Sequence, residues 1–191
     1  AARSQFEAAA RANVTPDYMI WEVDTAGERV SAGTRDRYFP VLYMAPEAPN
    51  RYAYGFDIAS EPMRREMLAE AERTRQATAT QPLTLIDGNL GALVAAPVYQ
   101  RADPATLRGF VLAVLRLQPL LESSLGSRPV DSNSLTWVSL YHLARDEAPR
   151  QVATTTPPPI VTTDIMNNDS AHFVLPIFAF GQTYAVMVTA A

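Results

Sequence analysis

Between Leu83 and Leu117 three apolar runs follow one another: LTLI (83–86), LGALVAAPVY (90–99) and RGFVLAVLRL (108–117). Short apolar runs bounded by turn residues read as strands, and the DGN at 87–89 suits a hairpin between the first two. Upstream, YMIWEV (18–23) alternates ahead of the turn DTAGER, and RDRYFPVLYMAP (35–46) carries a strand at 41–45. RYAYGFDIA (51–59) reads as the next strand, and a helix follows it. Ser60 caps that helix, Glu61 favours its first turn, and Pro62 sits where a missing N–H does no harm. Met63, Met67 and Ala71 form one face of the helix, with Leu68 beside it. Arg64, Arg65, Glu66, Glu70, Glu72 and Arg73 form the other, a solvated face on which Glu61 and Arg65 stand four apart. The first two-thirds of the chain therefore runs strand, strand, helix, three strands. That is the order of a PAS-like module, an antiparallel sheet with helices on one side.

The segment SQFEAAARAN (4–13), with Phe6, Ala10 and Val14 at helical spacing, reads as the end of a helix. QPLLESSLG (118–126) reads as a linking helix, after which the pattern restarts with less helix. LTWVSLYHLA (135–144) and RQVATTT (150–156) are strands, and PPPIVTT is a stiff, extended connection. HFVLPIFAF and QTYAVMVTA form a closing hairpin around Gly181-Gln182. The expected fold class is α+β, with two PAS-like antiparallel-sheet modules in tandem behind the remnant of a stalk helix. The expected divisions are 1–14 (end of the stalk helix), 15–117 (larger module), 118–126 (linking helix) and 127–191 (smaller module). The chain begins inside a helical pattern and stops in a strand, so it reads as a fragment of something longer.

Composition narrows the function. The net charge is −4 with no basic run, which argues against a nucleic-acid partner. All 16 basic residues are Arg. There is no Cys, which excludes disulfides, thiolate metal sites and thiol nucleophiles. The apolar stretch 172–191 is broken by Pro176, Gly181 and Gln182, and no run reaches the roughly 20 residues that span a bilayer. His142 and His172 lie in different elements with too few further ligands for a metal, and no G-x-S-x-G elbow accompanies Ser139 or Ser170. No catalytic residue, metal or cofactor is expected.

One residue does not fit a plain strand. Asp57 interrupts GFDIA, and an unpaired carboxylate in an apolar interior costs several kcal/mol or neutralises. If 52–58 alternates, Tyr52, Tyr54, Phe56 and Ile58 share a bulky face while Ala53, Gly55 and Asp57 share a nearly bare one. Small residues beside one polar anchor line ligand pockets, and the small residues of 92–99, Ala95 among them, agree with that. The other reading is that Met63 and Met67 fill the gap and Asp57 caps the backbone N–H groups of a turn.

The string RDRYFPVLYMAP, then Asn50, GFDIASEPMRREML, QPLTLI and APVY resembles the CHASE domain, and FEAAAR and IWEVD…GER extend the likeness. The likeness covers residues 4–118, while the second module matches only in general layout. The resemblance implies an extracytoplasmic sensor module of membrane histidine kinases and diguanylate cyclases. A stalk helix would precede a membrane-distal PAS-like subdomain that binds ligand and a membrane-proximal one. In the plant members, which resemble cytokinin receptors and bind adenine derivatives, the adenine-binding Asp falls on Asp57. A main-chain contact falls on Ala79, and a small pocket-lining Thr falls on Ala95. Gly55, Tyr43 and Phe110 complete the expected ligand-binding set. Two departures stand out: RTRQATA lacks a Gly that the plant sequences carry, and the turn before Leu90 is about one residue shorter.

The function expected is an extracytoplasmic sensor of a transmembrane receptor. It would bind a small, adenine-type ligand in the distal module and pass the change to a cytoplasmic kinase or cyclase. The expected location is the periplasmic or extracellular side of an inner-membrane protein, with homodimerisation through the stalk helix and flanking transmembrane helices outside this chain. The alternative is a structural, dimerising spacer without a small-molecule ligand.

Overall fold

The computed structural model describes residues 2–85, 88–125, 136–155 and 171–190. It is mixed α and β, with antiparallel sheets and a helix at the N-terminus. The chain divides into two compact units, Ala1–Ala69 and Glu70–Ala191.

In the first unit, α1 (Ala2–Asn13) is the expected N-terminal helix. Its Ala10 packs with Tyr18, Ile20 and Ala32, and half-buried Val14, Tyr38, Leu42 and Tyr54 close around them. Arg3 and Glu7 tie α1 to the chain that follows. The Arg3 guanidinium donates to the carbonyls of Ala32 (2.6 Å) and Ile20 (3.0 Å), and the Ile20 N–H donates to Glu7 Oε1 at 3.0 Å. The alternation at 18–23 yields only a short strand, β1 (Trp21–Val23), paired antiparallel with β2 (Arg29–Ser31) across the expected turn.

The two expected strands at 41–45 and 51–59 do not form. Residues 39–41 and 55–58 run beside each other with hydrogen bonds from Val41 to Phe56, Gly55 to Val41 and Ile58 to Phe39, at 2.9–3.1 Å. The pairing stays an isolated bridge between Pro40 and Asp57, because Pro40 has no N–H to extend a ladder. Residues 51–53 instead belong to a 3-10 helix, Ala48–Ala53, and a second 3-10 turn occupies Ile58–Ser60. Between them Gly55 turns the chain at φ +77°, pressed so close to Met19 that a Cβ would lie 1.9 Å from the Met19 carbonyl oxygen. The strand alternation is lost with it: Phe56, Asp57 and Ile58 are all buried.

Helix α2 (Pro62–Thr74) begins at the expected proline. Met67, Leu68 and Ala71 are buried as expected, but Met63 is exposed and Arg64 is only 5% exposed. On the polar face only Arg64 departs from the solvated reading: Arg65, Glu66 and Arg73 are exposed, and Glu70 and Glu72 are half-buried. Glu61 pairs with Arg64 rather than Arg65, whose guanidinium donates to the Ala59 carbonyl at 3.0 Å. Ser60 lies within the 3-10 turn, and its hydroxyl oxygen has no hydrogen bond, so it does not cap the helix.

The second unit holds the long strands. β5 (Leu90–Gln100) is flanked on one side by β3 (Thr78–Ala79) and β4 (Leu83–Thr84) and on the other by β6 (Asp103–Arg116). All these pairings are antiparallel. The strand expected over 83–86 is shorter, and its Ile86, with Asp87 of the expected turn, lies outside the described residues. Helix α3 (Leu117–Ser124) falls where the linking helix was expected. It is not a bare linker, for its Leu117 and Leu121 form a core with Leu140, Val152 and Ala153. That core belongs to a second antiparallel sheet, in the order β8-β7-β10-β9, built of β7 (Thr136–Leu143), β8 (Arg150–Thr154), β9 (Ala171–Ala179) and β10 (Gln182–Ala190). The closing hairpin turns at Phe180-Gly181, with φ of 52° and 78°, one residue earlier than expected. The PPPIVTT connection lies outside the described residues.

Candidate ligand-binding site

In the first unit, Asp57 is wholly buried. Its position follows from the sharp turn at Gly55, which delivers the next residues into the fold beside Trp21. The Trp21 N–H donates to the Gly55 carbonyl (3.0 Å), the Asp57 N–H donates to the Trp21 carbonyl (2.9 Å), and the Trp21 and Phe56 rings lie 4.9 Å apart. Asp57 Oδ1 accepts two backbone N–H groups, from Phe39 at 2.8 Å and from Ala59 at 3.2 Å. The turn-capping reading of Asp57 therefore holds for this oxygen.

Its second oxygen, Oδ2, is different. Arg35 Nη1 stands 3.2 Å away, within ion-pair range. Yet Oδ2 has no hydrogen-bond partner, so the guanidinium approaches off the line of its N–H bonds. Arg35 is divided between two carboxylates, because its Nη2 donates to Glu22 Oε2. Glu22 Oε1 in turn accepts the Gly33 N–H at 3.0 Å. Arg35 lies in the RDRYF string, where the sequence alone assigns it no role. The missed signal is electrostatic: a carboxylate held in an apolar interior needs a cation.

The other expected site residues are placed as follows. Gly55 is buried and committed to the close approach with Met19, while Tyr43 is 77% exposed. Ala79, Ala95 and Phe110 belong to the second unit. Ala95 is fully buried on β5, paired with Thr78 of β3 and Leu112 of β6, and Phe110 is half-buried opposite Pro97. Ala79 already uses its main chain within that unit. Its N–H donates to the Phe180 carbonyl at 2.8 Å, and its carbonyl accepts from Gln182 Nε2 at 3.0 Å. With the amide nitrogen turned to Ala79, Gln182 Oε1 faces His142 Nε2 at 3.0 Å, so that ring nitrogen carries the proton.

A cavity of about 310 Å³ opens elsewhere in the first unit, lined by Val14, Tyr18, Arg29, Glu47, Arg51 and Tyr54. It contains none of the expected site residues. Among the described residues no cluster of three or more His, Cys, Asp or Glu is placed to hold a metal, and no helix is long and apolar enough to cross a membrane.

A family model for the CHASE domain matches residues 1–154. The chain belongs to the CHASE domain family. That makes it a sensor domain of the extracytoplasmic kind rather than a catalytic one. Among solved structures, it is similar to an extracellular ligand binding receptor from Desulfohalobium retbaense DSM5692. The two share 19% identity at a TM-score of 0.50, over 77% of this chain and 27% of that one, which speaks for the fold. The CHASE chain thus spans about a quarter of that receptor's length. Comparison with curated proteins gives no match.

Proposed function

We propose that this CHASE domain senses a small nitrogenous ligand whose N–H groups are received by Asp57. The observation that carries the reading is the carboxylate itself: fully buried, with one oxygen saturated by backbone and the other lacking a hydrogen bond. A ligand N–H on Oδ2 gains a charge-assisted bond of roughly 1.5–3 kcal/mol net. The bound form is then favoured by that differential affinity, which is what shifts a sensor's equilibrium. Adenine-type compounds are the first candidates, through the resemblance to the plant sensors. The signal passes through the second unit to a kinase or cyclase output across the membrane, in a homodimer assembled through α1. The same resemblance names Gly55 and Tyr43 in the first unit, and Ala79, Ala95 and Phe110 in the second, as further ligand-binding candidates. The test is calorimetric titration of the purified chain with adenine and its N6-substituted derivatives, repeated on Asp57→Asn. Binding that weakens in the variant by about tenfold or more supports the reading; equal binding refutes it.

One observation favours a second reading. Asp57 Oδ1 caps the turn and Oδ2 faces Arg35, so the residue has a structural role in any case. If no compound binds through Asp57, the domain is a dimerising spacer and this network serves stability alone.

A further inference from the structure

Among the described residues, three buried side-chain polar atoms lack a hydrogen bond, and they fall within eight residues of one another: Asp57 Oδ2, Ser60 Oγ and Arg64 Nε. Buried polar groups are otherwise hydrogen-bonded in folded proteins, so three exceptions in one short stretch call for an explanation. The Ser60 N–H donates to the Asp57 carbonyl at 2.9 Å, and Arg64 follows Ser60 in the chain, in the first turn of α2. The Arg64 guanidinium sits 5.2 Å from the centre of the Phe56 ring, the side chain next to Asp57 in sequence.

The charges are as unusual as the hydrogen bonds. Arg64 is buried, and desolvation lowers the pKa of its guanidinium against the opposing pull of Glu61. Glu61 lies 2.9 Å from Nε but off its N–H direction, and its own side chain is 44% exposed. A half-solvated carboxylate compensates a buried cation poorly. Asp57 has the mirror-image deficit, since its cation Arg35 is shared with Glu22. One buried cation and one buried anion, each under-compensated, stand with a hydroxyl between them in the chain.

We infer that Asp57, Ser60 and Arg64 form one ampholyte-binding site. Its ligand carries both an ammonium or N–H donor, taken by Asp57, and a carboxylate or similar anionic group, taken by Arg64 and Ser60. This rests on the reading of Asp57 as a ligand anchor and narrows the ligand from neutral nitrogen heterocycles to small zwitterions of the α-amino acid type. Arg64 suits the task, because a guanidinium presents several N–H donors in a fixed plane matched to a carboxylate.

The test titrates the purified chain with the common L-α-amino acids one at a time, with the amide of each that binds, and with adenine. The variants are Ser60→Ala and Arg64→Met, with Asp57→Asn beside them, and thermal melts accompany every titration. An amino acid is expected to bind and its amide to bind at least about tenfold more weakly, the loss of one charge-assisted bond. Arg64→Met erases that preference for the acid. Ser60→Ala weakens binding while leaving the melting temperature of the empty protein unchanged or raised, because it removes an unsatisfied buried hydroxyl. A structural serine gives the opposite pair of results, a lower melting temperature with unchanged affinity, and that overturns the inference. Adenine binding that needs Asp57 but is indifferent to Ser60 and Arg64 overturns it too, while the Asp57 reading stands. If nothing binds in an Asp57-dependent way, water alone serves the three atoms and both readings fall.

Discussion

Replacing Asp57 separates its two oxygens. Asp57→Ala removes the acceptor for the Phe39 and Ala59 N–H groups along with the ion pair to Arg35. Each orphaned buried donor costs about 1–3 kcal/mol, and the lost turn cap belongs to the same account. Arg35 is 27% exposed and keeps Glu22, so the broken ion pair adds less than the 3–5 kcal/mol typical of a fully buried one. The alanine variant is therefore expected to lose about 3–5 kcal/mol in all. Asp57→Asn keeps a carbonyl oxygen for the two backbone donors and gives up only the charge, so about 1–2 kcal/mol is expected. Trp21, packed against Phe56, reports the first unit, and a Trp137→Phe background removes the only other tryptophan. Urea titration followed by this fluorescence measures both variants. If alanine and asparagine destabilise equally, or both by less than about 0.5 kcal/mol, the account of a carboxylate that organises residues 35–59 is wrong.

Further expectations follow from the same geometry. Gly55→Ala should destabilise the first unit severely, since a Cβ would collide with the Met19 carbonyl at a φ of +77°; a melt within a degree or two of the parent protein's contradicts the close approach. Burial works to raise the Glu7 pKa, but the Ile20 N–H, Arg3 and Arg11 outweigh it and hold the carboxyl below its usual value of 4.5. A depressed folded pKa contributes stability above the unfolded value that is lost as pH falls through the folded one. Urea midpoints taken from pH 6 downward should therefore fall less steeply below about pH 4.5 in Glu7→Gln than in the parent. Leu121→Ala, which opens the core beneath α3, should cost about 2–5 kcal/mol by denaturant titration. Ala95→Ile at a fully buried position should cost about 1–3 kcal/mol through overpacking, and unaltered ligand affinity in that variant would remove Ala95 from the binding set.

The sequence determined the parts whose signal is local and repeated. The apolar runs 90–99 and 108–117, the closing hairpin, and helices α1, α2 and α3 appear close to where patterning places them, because residue spacing alone decides which side chains can share a buried face. It also marked Asp57 as a carboxylate in apolar surroundings, and its motifs named the family that the full comparison bears out. Tertiary structure decided everything between residues 39 and 60. There Pro40 cannot extend a ladder, and Gly55 yields to a backbone segment more than thirty residues earlier in the chain. The partners of Asp57 come from Phe39 and Arg35, and Arg64 is buried although its neighbours on the charged face stay solvated. Periodicity encodes which face of an element is apolar; which distant atom meets a buried charge depends on how the chain crosses itself, and no short stretch of sequence carries that.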